Sequence, residues 1–326
     1  MRLMRKKFIY FLLNEAGIGL ILAALCIGFS IFVPNFASLH NVTNIFTQIS
    51  INTVIAVGMT FVILLGGIDL SVGSVLSLCT IVAGLFMTKE GVPLPVAISG
   101  AIVLSLLAGM VCGLFNGWVS ETWKIHAFVV TLGMLNIARG VALQVSGSRT
   151  IFSFPKAFNE VGTLTFGGVP LIFIVAVTLV LIGQFVLNKT VFGRLIYAIG
   201  NNEEAVRLSG HNTKRYKVSA YVICGAMVGI AAILYMLRLN IASPILGVGF
   251  ELSAIAAVVI GGTSMAGGKG SLIGTFIGAG IMGVLNNGLL LIGLSDFIRQ
   301  IVTGGIIVVA VVLDTYRVKF SHMLLK

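Results

Sequence analysis

A carboxylate, Asp69, stands in "GGIDLSVGS" (residues 66–74), inside an apolar tract running from about Ile49 to Met87. An acidic side chain at bilayer depth costs about 2.5–3.5 kcal/mol or more unless it faces water, protein or a helix end. Gly66 and Gly67 can break the preceding helix. Asp69 or Ser71 is then placed to cap the next one, with backbone N–H groups neutralising the charge. Direct contact between Asp69 and a ligand explains the same residues. Both readings set the motif, with Ser74 behind it, beside an aqueous path.

A second glycine-rich stretch, "GGTSMAGGKGS" (261–271), has glycines before a lysine, as a phosphate-binding loop does. The spacing fails, because Thr263 stands where the first glycine is needed and Gly270 where Ser or Thr should follow Lys269. The chain is therefore expected to carry no ATP site of its own. Setting Gly66 and Gly67 on Gly261 and Gly262 aligns the two stretches, which is the pattern of an internal repeat with interrupted helices along a transport path. Shared glycine-rich composition accounts for the same echo.

The densest charge lies in "FGRLIYAIGNNEEAVRLSGHNTKRYK" (192–217). Within it, Asn201 is expected as an N-cap with Glu204 as its capping-box partner. Glu203 and Glu204 suit the positive helix start, Arg207 the end, and Gly210 a left-handed stop. The expected helix of about two turns would offer Ala205, Val206 and Leu208 either to another subunit or to solvent.

Elsewhere the chemistry is sparse. Arg139 in "LNIARGVAL" is expected to pair with a carboxylate or carbonyl, ahead of substrate contact, and Glu251 and Asn286–Asn287 are further polar groups in apolar surroundings. Cys26, Cys79, Cys112 and Cys224 lie one to a segment and read as small packing residues, and the four histidines are scattered. No nucleophile, base and orienting group stand at a catalytic spacing, and Glu203 and Glu204 are adjacent and so point apart on a helix. Neither an enzyme nor a metal site is expected.

The elements that must position these groups follow from composition. The 326 residues are 58% hydrophobic and 10% charged, where soluble domains carry about 25% charged residues. Lipid can face an apolar exterior that water cannot, so an all-α polytopic membrane protein is expected. Spans need about 20 apolar residues. About ten transmembrane helices are read, near 14–34, 46–65, 70–88, 94–119, 126–146, 168–187, 218–239, 250–265, 270–293 and 297–316. The basic-then-apolar start offers no small-residue cleavage site and reads as a retained first helix.

The net charge of +11 is not spread over a basic face, so lipid, and no nucleic acid, is the expected partner. Most of the 21 lysines and arginines fall at the two termini and in the 188–217 loop. An even number of crossings with both termini cytoplasmic puts these charges inside. The longest outer loops are then 146–168 and 240–249, with Glu251 opening the span after the second.

Four stretches resemble one known family: "NTVIAVGMTFVILLGGIDLSVGSVLSL" (52–78), the 192–217 loop, "FELSAIAAVVIGGTSMAGGKGSLIGTFIGA" (250–279) and "LNNGLLLIG" (285–293). They are similar to the membrane permease subunits of bacterial ABC-type monosaccharide importers, particularly the ribose type, over nearly the whole chain. The resemblance implies that residues 1–326 form a single transmembrane permease domain in the cytoplasmic membrane. It also implies a second permease copy, a cytoplasmic ATPase holding ATP and Mg, and an extracytoplasmic sugar-binding protein.

Carried onto this chain, Asn201–Gly210 resembles the segment coupled to the ATPase, with 188–217 as the coupling loop, and the two glycine motifs resemble paired parts of the membrane core. His211 departs from the family's usual isoleucine and Ser253 from its usual aspartate. A neutral sugar needs hydroxyl partners in a wet cavity, for which Ser71, Ser74, Asn116, Thr263 and Asn286 are candidates, with Glu251 as a candidate extracytoplasmic gate. The competing readings are an ion-coupled carrier using Asp69 and Glu251, and a sugar-sensing scaffold without transport.

Overall fold

The computed structural model describes residues 17–324, with side chains as far as residue 312. The N-terminal cluster of Arg2, Arg5, Lys6 and Lys7, the start of the 14–34 segment and Lys326 lie outside the described residues, as do the side chains of Arg317 and Lys319. The described chain is helical almost throughout. In order come α1 (Gly17–Phe32), α2 (Leu39–Leu64), α3 (Val72–Met87), α4 (Leu94–Trp123), α5 (Ala127–Ser146), α6 (Lys156–Thr163) and α7 (Leu171–Lys189). They are followed by α8 (Val191–Asn201), α9 (Glu203–Leu208), α10 (Thr213–Leu239), α11 (Phe250–Ile260), α12 (Leu272–Leu291) and α13 (Asp296–Leu324).

Each of the ten expected segments coincides with one of these helices. Six of them, α2, α4, α5, α7, α10 and α12, are long and apolar enough to cross a membrane, while α1, α3 and α11 are apolar but shorter. Several boundaries moved by four residues or more, two of them for legible local reasons. The side chain of Ser38 accepts from the Asn41 amide and starts α2 several residues before the expected 46, ahead of a polar first stretch. The expected 250–265 segment stops at Ile260, where the chain turns left-handed at Gly262 (φ 84°).

α2 runs through the centre. Val54, Ile55, Ala56, Met59, Val62 and Ile63 are fully or almost fully buried, packed with residues of α3, α10, α11 and α12. The outer helices differ. Val103, Leu107 and Val111 on α4, and Leu181, Ile182 and Phe185 on α7, are exposed apolar side chains, the surface expected where lipid tails replace water. α4 and α10 are joined by small residues four apart: a Cβ on Gly109 or Gly113 would strike the backbone of Gly225 or Tyr221, so the two helices touch main chain to main chain.

The helices end in two groups. At one end the connections after α2, α4, α7 and α11 meet. There the Gly268 amide donates to the Leu64 carbonyl at 2.8 Å and Lys217 bridges to Glu121 at 2.8 Å. At the other end, β1 (Ile151–Phe152) pairs antiparallel with β4 (Ile241–Ala242), and β2 (Thr165–Phe166) pairs with β3 (Val169–Pro170) in a small hairpin. The four cysteines are free, with Cys79, Cys112 and Cys224 buried in the packing.

Candidate functional site

The break after α2 is a Schellman turn. Gly66 adopts φ 75°, its amide donates to the Ile63 carbonyl, and that of Gly67 donates to Val62. The break after α11 repeats this pattern, with Gly262 at φ 84° donating to Val259 and Thr263 donating to Val258. Hydrogen bonding therefore pairs Gly66 with Gly262 and Gly67 with Thr263. The sequence alignment of Gly66 and Gly67 on Gly261 and Gly262 is corrected by one residue, because the left-handed residue defines the equivalence. Gly261 instead packs against the backbone of Gly274 on α12.

Asp69 follows the first break and is 3% exposed. Its Oδ1 accepts from the Ser71 amide at 2.9 Å and the Ser71 hydroxyl at 2.6 Å. Asn116 on α4 donates to Oδ2 at 3.3 Å and to the Ser71 hydroxyl oxygen at 3.0 Å. This differs from the expected cap. Ser71 is the N-cap residue of α3, but its side chain makes no cap hydrogen bond, since its hydroxyl is turned to Asp69. Asp69 holds the chain ahead of the helix in an Asx turn and ties it to α4. Ser71, Ser74, Asn116 and Thr263 are all buried, so the structure gives them the packed setting of a helix break. Gly66 and Gly67 alone of this group line a cavity of about 230 Å³, which opens among Glu121, Lys124, His126 and Lys217.

At that same charged end, the capping of α9 shifts by one residue. Asn202, not Asn201, is the N-cap, its Oδ1 accepting from the Ala205 amide at 3.0 Å. Asn201 ends α8 and donates to the Gly268 carbonyl at 3.1 Å, joining the loop to the second glycine motif. Glu204 is likewise no capping-box partner: it receives Arg207 Nε at 2.8 Å. Capping needs extended backbone, which Asn202 has at φ −160°, whereas Asn201 is still helical. The helix is six residues long, shorter than expected, and Gly210 turns left-handed after it at φ 86°.

Val206 faces inward onto Leu195 and Ile199. Ala205 is exposed, and Leu208 is 75% exposed. Glu203 anchors α9 to the bundle by accepting from Lys217 at 2.8 Å and from the Thr213 hydroxyl at 3.1 Å. Burial raises its pKa, but hydrogen bonding and charge from Lys217 outweigh that and hold the carboxyl below its usual range. Lys217 also reaches the buried Glu121, which in turn receives Lys124 at 3.1 Å. Sequence inspection missed Glu121 and Lys217 as partners because their separation in the chain gives no local spacing to read.

The loop 240–249 turns inward. Arg139, midway along α5, donates to the carbonyls of Pro244 at 2.6 Å and Leu246 at 2.7 Å, which is the carbonyl pairing expected for it. Ser77 on α3 donates to the Ser243 carbonyl at 2.9 Å. Glu251 accepts from the Gly249 amide at 3.1 Å, and a Cβ on Gly73 would meet its carboxylate. Glu251 thus sits against α3 within the bundle.

Two cavities flank this point. One, of about 290 Å³, lies among α2, α10, α11 and α12, with Gln48, Asn52, Tyr235, Ser253 and Asn286 in its wall. The other, of about 560 Å³, follows α13 past Glu251, Arg299 and Gln300. Both have Phe250, Ser253 and Asn286 in their walls and so adjoin each other. Asn286 was expected beside a path, whereas Gln48 and Asn52 were overlooked. Their spacing of four, one face of an otherwise apolar helix, was the available signal.

The family model that matches residues 41–311 is described as "Branched-chain amino acid transport system / permease component". The Escherichia coli (strain K12) ribose import permease protein RbsC is 42% identical over 285 residues, covering 86% of this chain and 87% of that protein. The Bacillus subtilis (strain 168) ribose import permease protein RbsC is 41% identical over 314 residues, covering 95% and 96%. The Escherichia coli (strain K12) D-allose transport system permease protein AlsC is 35% identical over 302 residues, covering 92% and 91%. No solved structure matches the chain. Both helix breaks, the charged loop and the two cavities fall inside the matched region, and the chain belongs to the family of permease components of ATP-binding-cassette importers.

Proposed function

We propose that this chain is the membrane subunit of an importer for ribose or a related pentose or hexose, moving the sugar by alternating access across the cytoplasmic membrane of a bacterium. Relatives named as ribose and D-allose permeases, similar over most of their length, support the cargo class. Two copies would act with a cytoplasmic ATPase, which binds ATP and Mg, and with an extracytoplasmic sugar-binding protein. The ten helices matching the expected segments would all cross the membrane, with both termini and the charged end cytoplasmic.

The observation that carries the coupling role is the setting of α9. It exposes Leu208 at the charged end, is clamped by Glu203 to Lys217, and adjoins Asn201, which touches the second glycine motif. Force on α9 would reach both helix breaks, since Gly268 is bonded to Leu64 at the end of α2. Asp69, buried and held by Ser71 and Asn116, is a poor coupling group for the carrier alternative, and the dependence of uptake on the ATPase decides the case of Glu251.

Proteoliposomes containing permease, ATPase and binding protein provide the test. Uptake of a labelled monosaccharide that requires internal ATP and stops when the ATPase is omitted is the expected result. Uptake driven by an ion gradient without the ATPase would overturn the reading.

A further inference from the structure

We infer that the cavity among α2, α10, α11 and α12 is a binding site for a neutral monosaccharide within a single permease copy, read by Gln48, Asn52, Ser253 and Asn286. The inference rests on the importer reading above and names the place where its cargo is held. At about 290 Å³ the cavity lies near the lower bound of small-molecule sites, where a one-ring ligand fits.

Its wall chemistry selects the ligand. Gln48 and Asn286 are half-buried amides with no hydrogen-bond partner among the described residues, and Asn52 makes only a long 3.5 Å contact to the Ser253 carbonyl. The Ser253 hydroxyl also has no partner among the described residues. Asn287, next to Asn286, is by contrast held between helices by two 2.9 Å hydrogen bonds with Asn41. The adjacent positions thus divide, one amide locked between helices and the other directed to the cavity.

Amides both donate and accept, and so do sugar hydroxyls, so three amides and a hydroxyl can match a polyol without any charge. Tyr235 and Phe250, with ring centroids 6.1 Å apart and planes at 57°, add apolar faces for the C–H side of a sugar ring. An amino acid, the cargo class printed in the family description, needs an anion for its ammonium group. No carboxylate lines this cavity, Glu251 and Asp296 lining the adjoining one instead; its one formal charge is Arg238, which is exposed at the end of α10. The neighbouring cavity along α13 shares Phe250, Ser253 and Asn286 in its wall and is the side from which the sugar would enter.

The test uses the reconstituted complex, with Asn52→Cys and Asn286→Cys placed singly in a cysteine-free background that retains ATP-dependent uptake. Labelling by a small polar thiol reagent is followed with D-ribose, D-allose, D-xylose or L-arabinose at saturation, and with L-leucine. At least one sugar should slow labelling at both positions on the order of threefold or more, and L-leucine should not. Asn286→Leu and Gln48→Met should each lower sugar moved per ATP hydrolysed on the order of tenfold, the cost of one lost hydrogen bond to the ligand. Binding-protein-stimulated ATPase should persist in both variants, which a folding defect would not allow.

Labelling unaffected by every sugar, protection by L-leucine, or full coupling in both variants would overturn the site. Failure of the unsubstituted complex to import any monosaccharide with ATP would instead overturn the importer reading.

Discussion

The Asp69 carboxylate organises one backbone amide, one hydroxyl and one side-chain amide from two helices. Asp69→Asn keeps an acceptor of the same shape and is expected to preserve assembly and much of the uptake. Asp69→Leu leaves the Ser71 amide and hydroxyl buried without their acceptor, at about 1–3 kcal/mol each, and should lower both thermal stability in detergent and uptake. Equal behaviour of the two variants, measured by unfolding and by uptake, would show that the oxygen is not what matters.

Glu203 gives a pH prediction at the same scale. Its carboxyl is held below the ordinary value of 4.5, so its contribution is complete above that value and fades as the pH falls through the lower folded pKa. Glu203→Gln should therefore cost stability at neutral pH, and the gap from the parent protein should close as acid is added below about pH 4.5. Paired melting curves across that range measure the gap.

Among the elements, α9 is distinctive because one short helix turns Val206 onto the bundle and leaves Leu208 outside. Since Leu208 packs against little within the chain, Leu208→Asp should leave the permease folded and inserted. It should weaken co-purification of the ATPase by on the order of tenfold, the effect of putting a charge into an apolar contact. Val206→Asp should instead destabilise the loop itself. Co-purification of the ATPase with Leu208→Asp at the unsubstituted level would remove α9 from the contact.

At the scale of the whole molecule, the bundle has a charged end built from the α2, α4, α7 and α11 connections and an opposite end closed by the β1–β4 pairing. A fixed orientation makes each end reachable from one side only. With a membrane-impermeant thiol reagent, Glu160→Cys should be labelled in intact cells and Leu208→Cys only in everted vesicles. The reverse pattern would invert the topology, and with it the assignment of α9 to the ATPase side.

Composition alone determined that this is a helical membrane protein, because 10% charge cannot coat a soluble surface of this length. Runs of apolar residues located ten helices to within a few positions at most ends, and the glycine pairs marked both breaks, since those signals are local in the chain. The family was legible for the same reason, in long continuous motifs. What depended on pairing across the chain was not legible. Asn201 and Asn202 are the same residue type side by side, and only backbone geometry chose the second as the cap. Gly66 matches Gly262 through hydrogen bonds, not through letters. Ser71 and Asn116 read as path or helix-break residues alike, and only the fold set both against the buried Asp69. Gln48, Asn52, Ser253 and Asn286 come from three helices, and nothing short of their packing around one cavity brings them together.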